Sequence, residues 1–103
     1  MSYLPEVYKD FVKQYPEVSK AYDALADSCH EHGPLDKKER RLVKLGIAVG
    51  LGSEGAVKSH ARRALSEGIS ADEVRHAILL ALTTIGFPTM VAAMKWVEEV
   101  IKS

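Results

Sequence analysis

Apolar positions in this chain recur at intervals of three and four residues between regularly spaced stop signals, and no two-residue alternation lasts long enough for a strand. An all-α protein is therefore expected. Pro5 and Pro16 are each followed by an acid and an apolar spacing of three and four, predicting helices over about 5–14 and 16–32. In the second, Val18, Tyr22, Leu25 and Cys29 share a face. The stretch HGPLD then supplies a glycine stop, a proline that blocks continuation and a loop. Asp36 with Glu39 forms a capping-box pattern for a third helix, which runs to Gly50 and Gly52; a fourth runs over about 53–67 and stops at Gly68. Ser70 with Glu73 repeats the pattern for a fifth helix ending near Gly86, and Pro88 suits the first turn of a sixth reaching Ile101.

Two of these six helices carry apolar residues almost all the way round: LVKLGIAVGL in the third and VRHAILLALTTIGF in the fifth. A helix apolar on most faces is either central in a large core or covered by another chain. With 103 residues, one domain and one modest core are expected, too little to hide both helices. A homo-oligomer is the simpler expectation, with a monomeric bundle as the alternative.

Composition narrows the partners. Fourteen basic residues balance fourteen acidic ones, so there is no general field for nucleic acid or an anionic membrane. The first fifteen residues mix acids and bases with apolar residues, unlike a signal peptide or a membrane span. A cytoplasmic location is expected, and the single cysteine, Cys29, fits a reducing compartment.

The stretch SEGAVKSH places His60 on the fourth helix, with Ala56 and Ala64 one turn either side of it. Taken with LDKKERRLVKLGIAVGLG before it and ARRALSEGISADEVRHAILLALTTIGFP after it, the order of elements over about 33–100 resembles the carboxymuconolactone decarboxylase family, which also contains the alkylhydroperoxidase D proteins. The resemblance implies a six-helix alkylhydroperoxidase D-like bundle that assembles into trimers or hexamers, with sites near subunit contacts.

In the peroxidase branch of that family, a Cys-x-x-Cys pair lies seven and four residues ahead of the histidine, and a glutamate twelve residues before the first cysteine. Those positions here hold Ser53, Ala56 and Arg41, and only His60 remains. A dithiol peroxidase needs one thiolate to attack the peroxide and a second thiol to resolve the sulfenic acid, chemistry that serine and alanine do not supply. Cys29, on the apolar stripe of the second helix, reads as a small buried hydrophobe. Cys29, His30 and His32 are all metal-ligand types, but their spacings of one and three do not converge on a helix; a structural or solvent-facing reading is preferred to a metal site.

The decarboxylase branch also resembles this chain in lacking the cysteine pair. Its chemistry, loss of carbon dioxide from a carboxylated unsaturated lactone, needs charge delocalised into the lactone carbonyl, groups to hold the remaining carboxylates, and a proton donor. The resemblance assigns proton transfer to His60, whose imidazole ordinarily titrates near neutrality. Arg41 is a candidate carboxylate clamp, Arg63 lies three residues beyond His60, and Ser53 is a candidate hydrogen-bond donor. Each has a plainer alternative. His60 fits an inward structural bond, Arg41 a solvated first turn or an ion pair, Arg63 a pairing with Glu67, and Ser53 an N-cap. His76, beside Asp72 and Arg75 near the start of the fifth helix, reads as a polar side chain at the surface without a catalytic part. The expected function is a decarboxylase-like lyase acting on a small carboxylic acid or lactone without metal or organic cofactor; the competing expectation is a non-catalytic oligomeric binding or scaffold protein of the same fold.

Overall fold

Asp36, Ser53 and Ser70 each cap a helix in the computed structural model of the protein, which describes residues 6–103. Among these residues the chain forms α1 (Glu6–Gln14), α2 (Pro16–Glu31), α3 (Lys37–Leu51), α4 (Glu54–Ser66), α5 (Ala71–Leu79), α6 (Leu82–Ile85) and α7 (Phe87–Lys102). Pro5, expected to open the first helix, lies outside the described residues. The Asp36 carboxylate accepts from the Glu39 N–H at 2.8 Å while the Glu39 carboxylate accepts from the Asp36 N–H at 2.9 Å, a complete capping box. Ser70 and Glu73 repeat it at 3.0 Å in both directions. At the other end of α3, Gly52 takes a left-handed conformation at φ 67° that favours glycine, and its N–H closes the helix on the Val49 carbonyl.

Where the apolar run predicts one fifth helix to Gly86, the structure has two. The break falls at Leu80–Ala81, where i→i+3 bonds from Ala81 to Ile78 and from Thr84 to Ala81 tighten the chain. The Thr84 hydroxyl also donates to the Leu80 carbonyl at 3.4 Å, bracing the turn before Gly86.

The chain divides into two compact units, residues up to Leu35 and Asp36–Ser103. In the first, α1 packs on α2 and the rings of Phe11 and Tyr15 meet at a tilt of 45°, their centroids 5.4 Å apart. Ser19 is its one buried residue among those described. The shared face of Val18, Tyr22, Leu25 and Cys29 forms as expected, yet all four are exposed. Cys29 is therefore not the buried hydrophobe expected from its place on the stripe: two short helices supply no further layer to cover it.

The second unit holds the core. Leu45, Ala48 and Val49 of α3 meet Val57, Ala61 and Ala64 of α4, with Val74 and Ile78 of α5 and Met90, Ala93, Val97 and Val100 of α7 completing the cluster. Ala61 and Ala64 are wholly buried in this cluster, and α3 packs along α4, which brings polar side chains of the two helices within reach of one another. No helix among the described residues is long and apolar enough to cross a membrane.

Candidate functional site

Ser53, His60 and Glu67 lie seven residues apart on and just beyond α4, so two full turns separate each from the next and all three share one stripe of the helix. Arg41 projects onto that stripe from the first turns of α3. Its Nε donates to one Glu67 carboxylate oxygen at 3.0 Å and its Nη2 to the other at 2.9 Å, a two-pronged pairing that α3 and α4 hold half-buried. Its Nη1 lies 2.9 Å from His60 Nδ1.

A guanidinium can only donate, so Nδ1 of His60 accepts and the proton of the neutral ring sits on Nε2. Charge state follows from the same surroundings. Burial first, then the positive charges of Arg41, Arg63 and Lys44, push the His60 pKa from 6.5 down to about 4; the Glu67 carboxylate opposes them without prevailing. His60 is thus a neutral Nε2–H donor at pH 7, which replaces the near-neutral titration expected from sequence. The hydrogen bonds from Arg41 hold the Glu67 carboxyl below the usual carboxylate range, outweighing its own partial burial.

The structure brings Arg41 and His60 into direct contact and places Arg63 half-buried near them, where its charge acts on the imidazole. Arg63 makes no ion pair among the described residues, whereas Arg41 commits three of its five N–H groups to Glu67 and His60. Ser53 accepts from the Ala56 N–H at 3.3 Å as the N-cap of α4, roughly 10 Å along the axis from His60. Ala64 is wholly buried and Ala56 packs against the core, so both alanines serve packing. Glu67 joins the site although nothing in its local sequence marks it. The signal available was its seven-residue spacing from His60; the reach of Arg41 from another helix was not.

A second feature lies on another face of the same unit. α3, α5 and α6 enclose an open groove of about 600 Å³ whose apolar lining includes Leu42, Val43, Ile47, Leu80 and Ile85. His76 and Glu73 stand at it, and Glu73 is ion-paired with Lys38 of α3. None of Arg41, Ser53, His60 or Arg63 lines it. Among the described residues, no three of the His, Cys, Asp and Glu side chains are grouped to hold a metal. His32 Nδ1 donates to the Ser28 carbonyl at 2.7 Å, a local contact at the end of α2.

With this geometry in place, comparison with known proteins assigns the chain. A model of the carboxymuconolactone decarboxylase family matches residues 16–99, and the chain belongs to that family. It is 34% identical over 68 residues to 4-carboxymuconolactone decarboxylase of Acinetobacter baylyi, covering 66% of this chain and 51% of that protein. It is 33% identical over 67 residues to nitrosuccinic acid decarboxylase of Metarhizium robertsii, covering 65% of this chain and 47% of that one. The chain therefore spans about half the length of these two relatives. The fold is also that of a carboxymuconolactone decarboxylase family protein from Legionella pneumophila, solved in its apo form, with a TM-score of 0.79 at 23% identity over 94% of this chain and 87% of that one.

Proposed function

We propose that this protein is a decarboxylase-like lyase of the cytoplasm, acting on a small carboxylated lactone or related acid at His60. The observation that carries the reading is the Arg41–His60 contact, which leaves a neutral imidazole with its Nε2–H available beside a second cation, Arg63. Support comes from the family and from two relatives whose names end in decarboxylase. When the C–CO2 bond breaks, its electron pair moves onto the ring carbon and is delocalised to the lactone carbonyl oxygen. His60 Nε2–H donates a hydrogen bond to that oxygen, which strengthens as negative charge grows on it. Nδ1 stays occupied by the Arg41 hydrogen bond, so the ring keeps its single Nε2–H on the carbonyl oxygen, and the carbanion carbon takes its proton from a water molecule, which leaves as hydroxide. Arg63 holds the carboxylate that remains.

This site works within a homo-oligomer. The exposed apolar side chains of α3, α5 and α6 around the groove support that part of the reading.

The test is carbon dioxide release from 4-carboxymuconolactone and nitrosuccinic acid by the wild-type chain and by His60→Gln. Turnover that disappears in His60→Gln with the fold intact is expected; wild-type turnover that survives the substitution would overturn the role of His60. A non-catalytic binding protein is the second reading, favoured by the closure of Arg41 onto Glu67. Absence of turnover on both acids and on further carboxylated lactones, together with measurable binding of one of them, is what that reading predicts.

A further inference from the structure

We infer that Glu67 is a positioning residue which, through Arg41, fixes His60 in its Nε2–H tautomer and so makes the site a donor to oxygen acceptors, such as a carboxylate or a lactone carbonyl, instead of a base toward C–H groups. The inference rests on the site reading above and adds to it the group that sets the hydrogen-bonding polarity of His60.

The argument is one of geometry. An arginine on the exposed start of α3 has four rotatable bonds and no reason of its own to lie against an imidazole. The two Glu67 oxygens remove that freedom by taking Nε and Nη2 together, at 3.0 and 2.9 Å, which fixes the guanidinium plane. Once the plane is fixed, Nη1 points at His60 Nδ1 at 2.9 Å. Because that nitrogen receives a hydrogen bond from a group that cannot accept one, a proton on Nδ1 would face an N–H head on, and the Nε2–H tautomer is left. The charged groups acting on the ring are Arg41 and Lys44 from α3 with Arg63 and Glu67 from α4, three cations against one carboxylate, so the environment also opposes imidazolium in the free protein. An anionic acceptor at Nε2 lessens that opposition without reversing it, while a neutral acceptor meets a neutral donor. The carboxylate that sets this arrangement lies two turns beyond the histidine on its own helix, with its partner on the neighbouring one.

The test reads the ring nitrogens of His60 directly by nitrogen-15 NMR of the full chain at pH 7, assigning the signals with His60→Gln. In the wild type, Nδ1 should carry the shift of an unprotonated nitrogen and Nε2 that of a protonated one. Glu67→Ala should bring both shifts toward the tautomer average while the amide spectrum stays folded. Glu67→Gln, which keeps the shape and one acceptor, should fall between the two, and it serves as the reading if the alanine variant does not fold. Wild-type tautomer in a folded Glu67→Ala, or in a folded Glu67→Gln where the alanine variant is lost, would overturn the inference. Because no substrate enters this measurement, a protein that turns over no acid yet shows the tautomer shift loses the decarboxylase reading and keeps the positioning role. Where turnover is found, Glu67→Gln should lower kcat by roughly tenfold or more with little change in KM.

Discussion

Protonating His60 in the folded chain works against its burial and against Arg41, Arg63 and Lys44, whereas in the unfolded chain it meets only water. The folded pKa of about 4 lies below the ordinary 6.5, so the unfolded state binds the proton more readily. Stability from this group is therefore complete above about pH 6.5 and declines as pH falls from there toward 4. Allowing for partial exposure of the ring, the loss is about 2 kcal/mol. Urea unfolding between pH 7 and 5 should show the decline in the wild type and its absence in His60→Gln. The Glu67 carboxyl is held below the usual range by its hydrogen bonds from Arg41, so its contribution is present above that range and is lost as pH falls through the depressed value. Arg41→Ala should cost about 2 kcal/mol by leaving a half-buried carboxylate without its cation, measured in the same unfolding experiment at pH 7. At this scale His60, Arg41, Ser53 and Arg63 stand out as candidates from residue type and family order, and Ser53 is accounted for as an N-cap. The Arg41–Glu67 pairing that holds Arg41 on His60 could not be read, because Arg41 and Glu67 are far apart in sequence and meet only across the contact of α3 with α4.

The helices whose starts are written in local chemistry were the legible ones. Asp36 with Glu39, and Ser70 with Glu73, are within one turn of each other, so the residues that make each cap are also the residues that reveal it. The end of α5 was not legible, since VRHAILLALTTIGF keeps helical periodicity through the turn and the break shows only in the hydrogen bonds around Leu80 and Ala81. A tertiary consequence of the caps also escapes the sequence: Lys38 in the first turn of α3 pairs with Glu73 of the α5 cap, and Arg75 of α5 forks onto Glu98 of α7 at 2.8 and 3.0 Å. The cap of α5 is thus tied to α3, and the body of α5 to α7. Ser70→Ala should lower stability by about 1 kcal/mol through the lost cap. If the Lys38–Glu73 pair depends on that cap, the double variant Ser70→Ala with Lys38→Met should be less destabilised than the sum of its parts; strict additivity in chemical unfolding would show that the cap and the ion pair are independent.

At the scale of the whole molecule, apolar surface is left where a small core cannot absorb it. Leu45 and Ile78 are wholly buried, yet Ile47 is 59% exposed and Leu80 61% exposed at the α3–α5 groove, and Leu51 is 74% exposed at the end of α3. These are the residues that made the third and fifth helical runs apolar all round: one face enters the core and the other has no cover within this unit. The α1–α2 unit has the same property, with Tyr22 and Leu25 exposed on a continuous stripe. Contiguous apolar surface of this kind marks an interaction face, and a second copy of the chain is the partner we propose for it. An aspartate at Ile47 enters that face without touching the core, so Ile47→Asp should keep its helical circular dichroism and its cooperative unfolding while losing assembly. Light scattering on the eluting protein at micromolar concentration should then give a mass of more than one chain for the wild type and one chain, about 11 kDa, for the variant. A monomeric wild type would mean that the exposed face is not occupied by copies of the chain, and an Ile47→Asp protein that remained assembled would place the contact elsewhere, on the stripe of α2, where Leu25→Asp makes the same measurement.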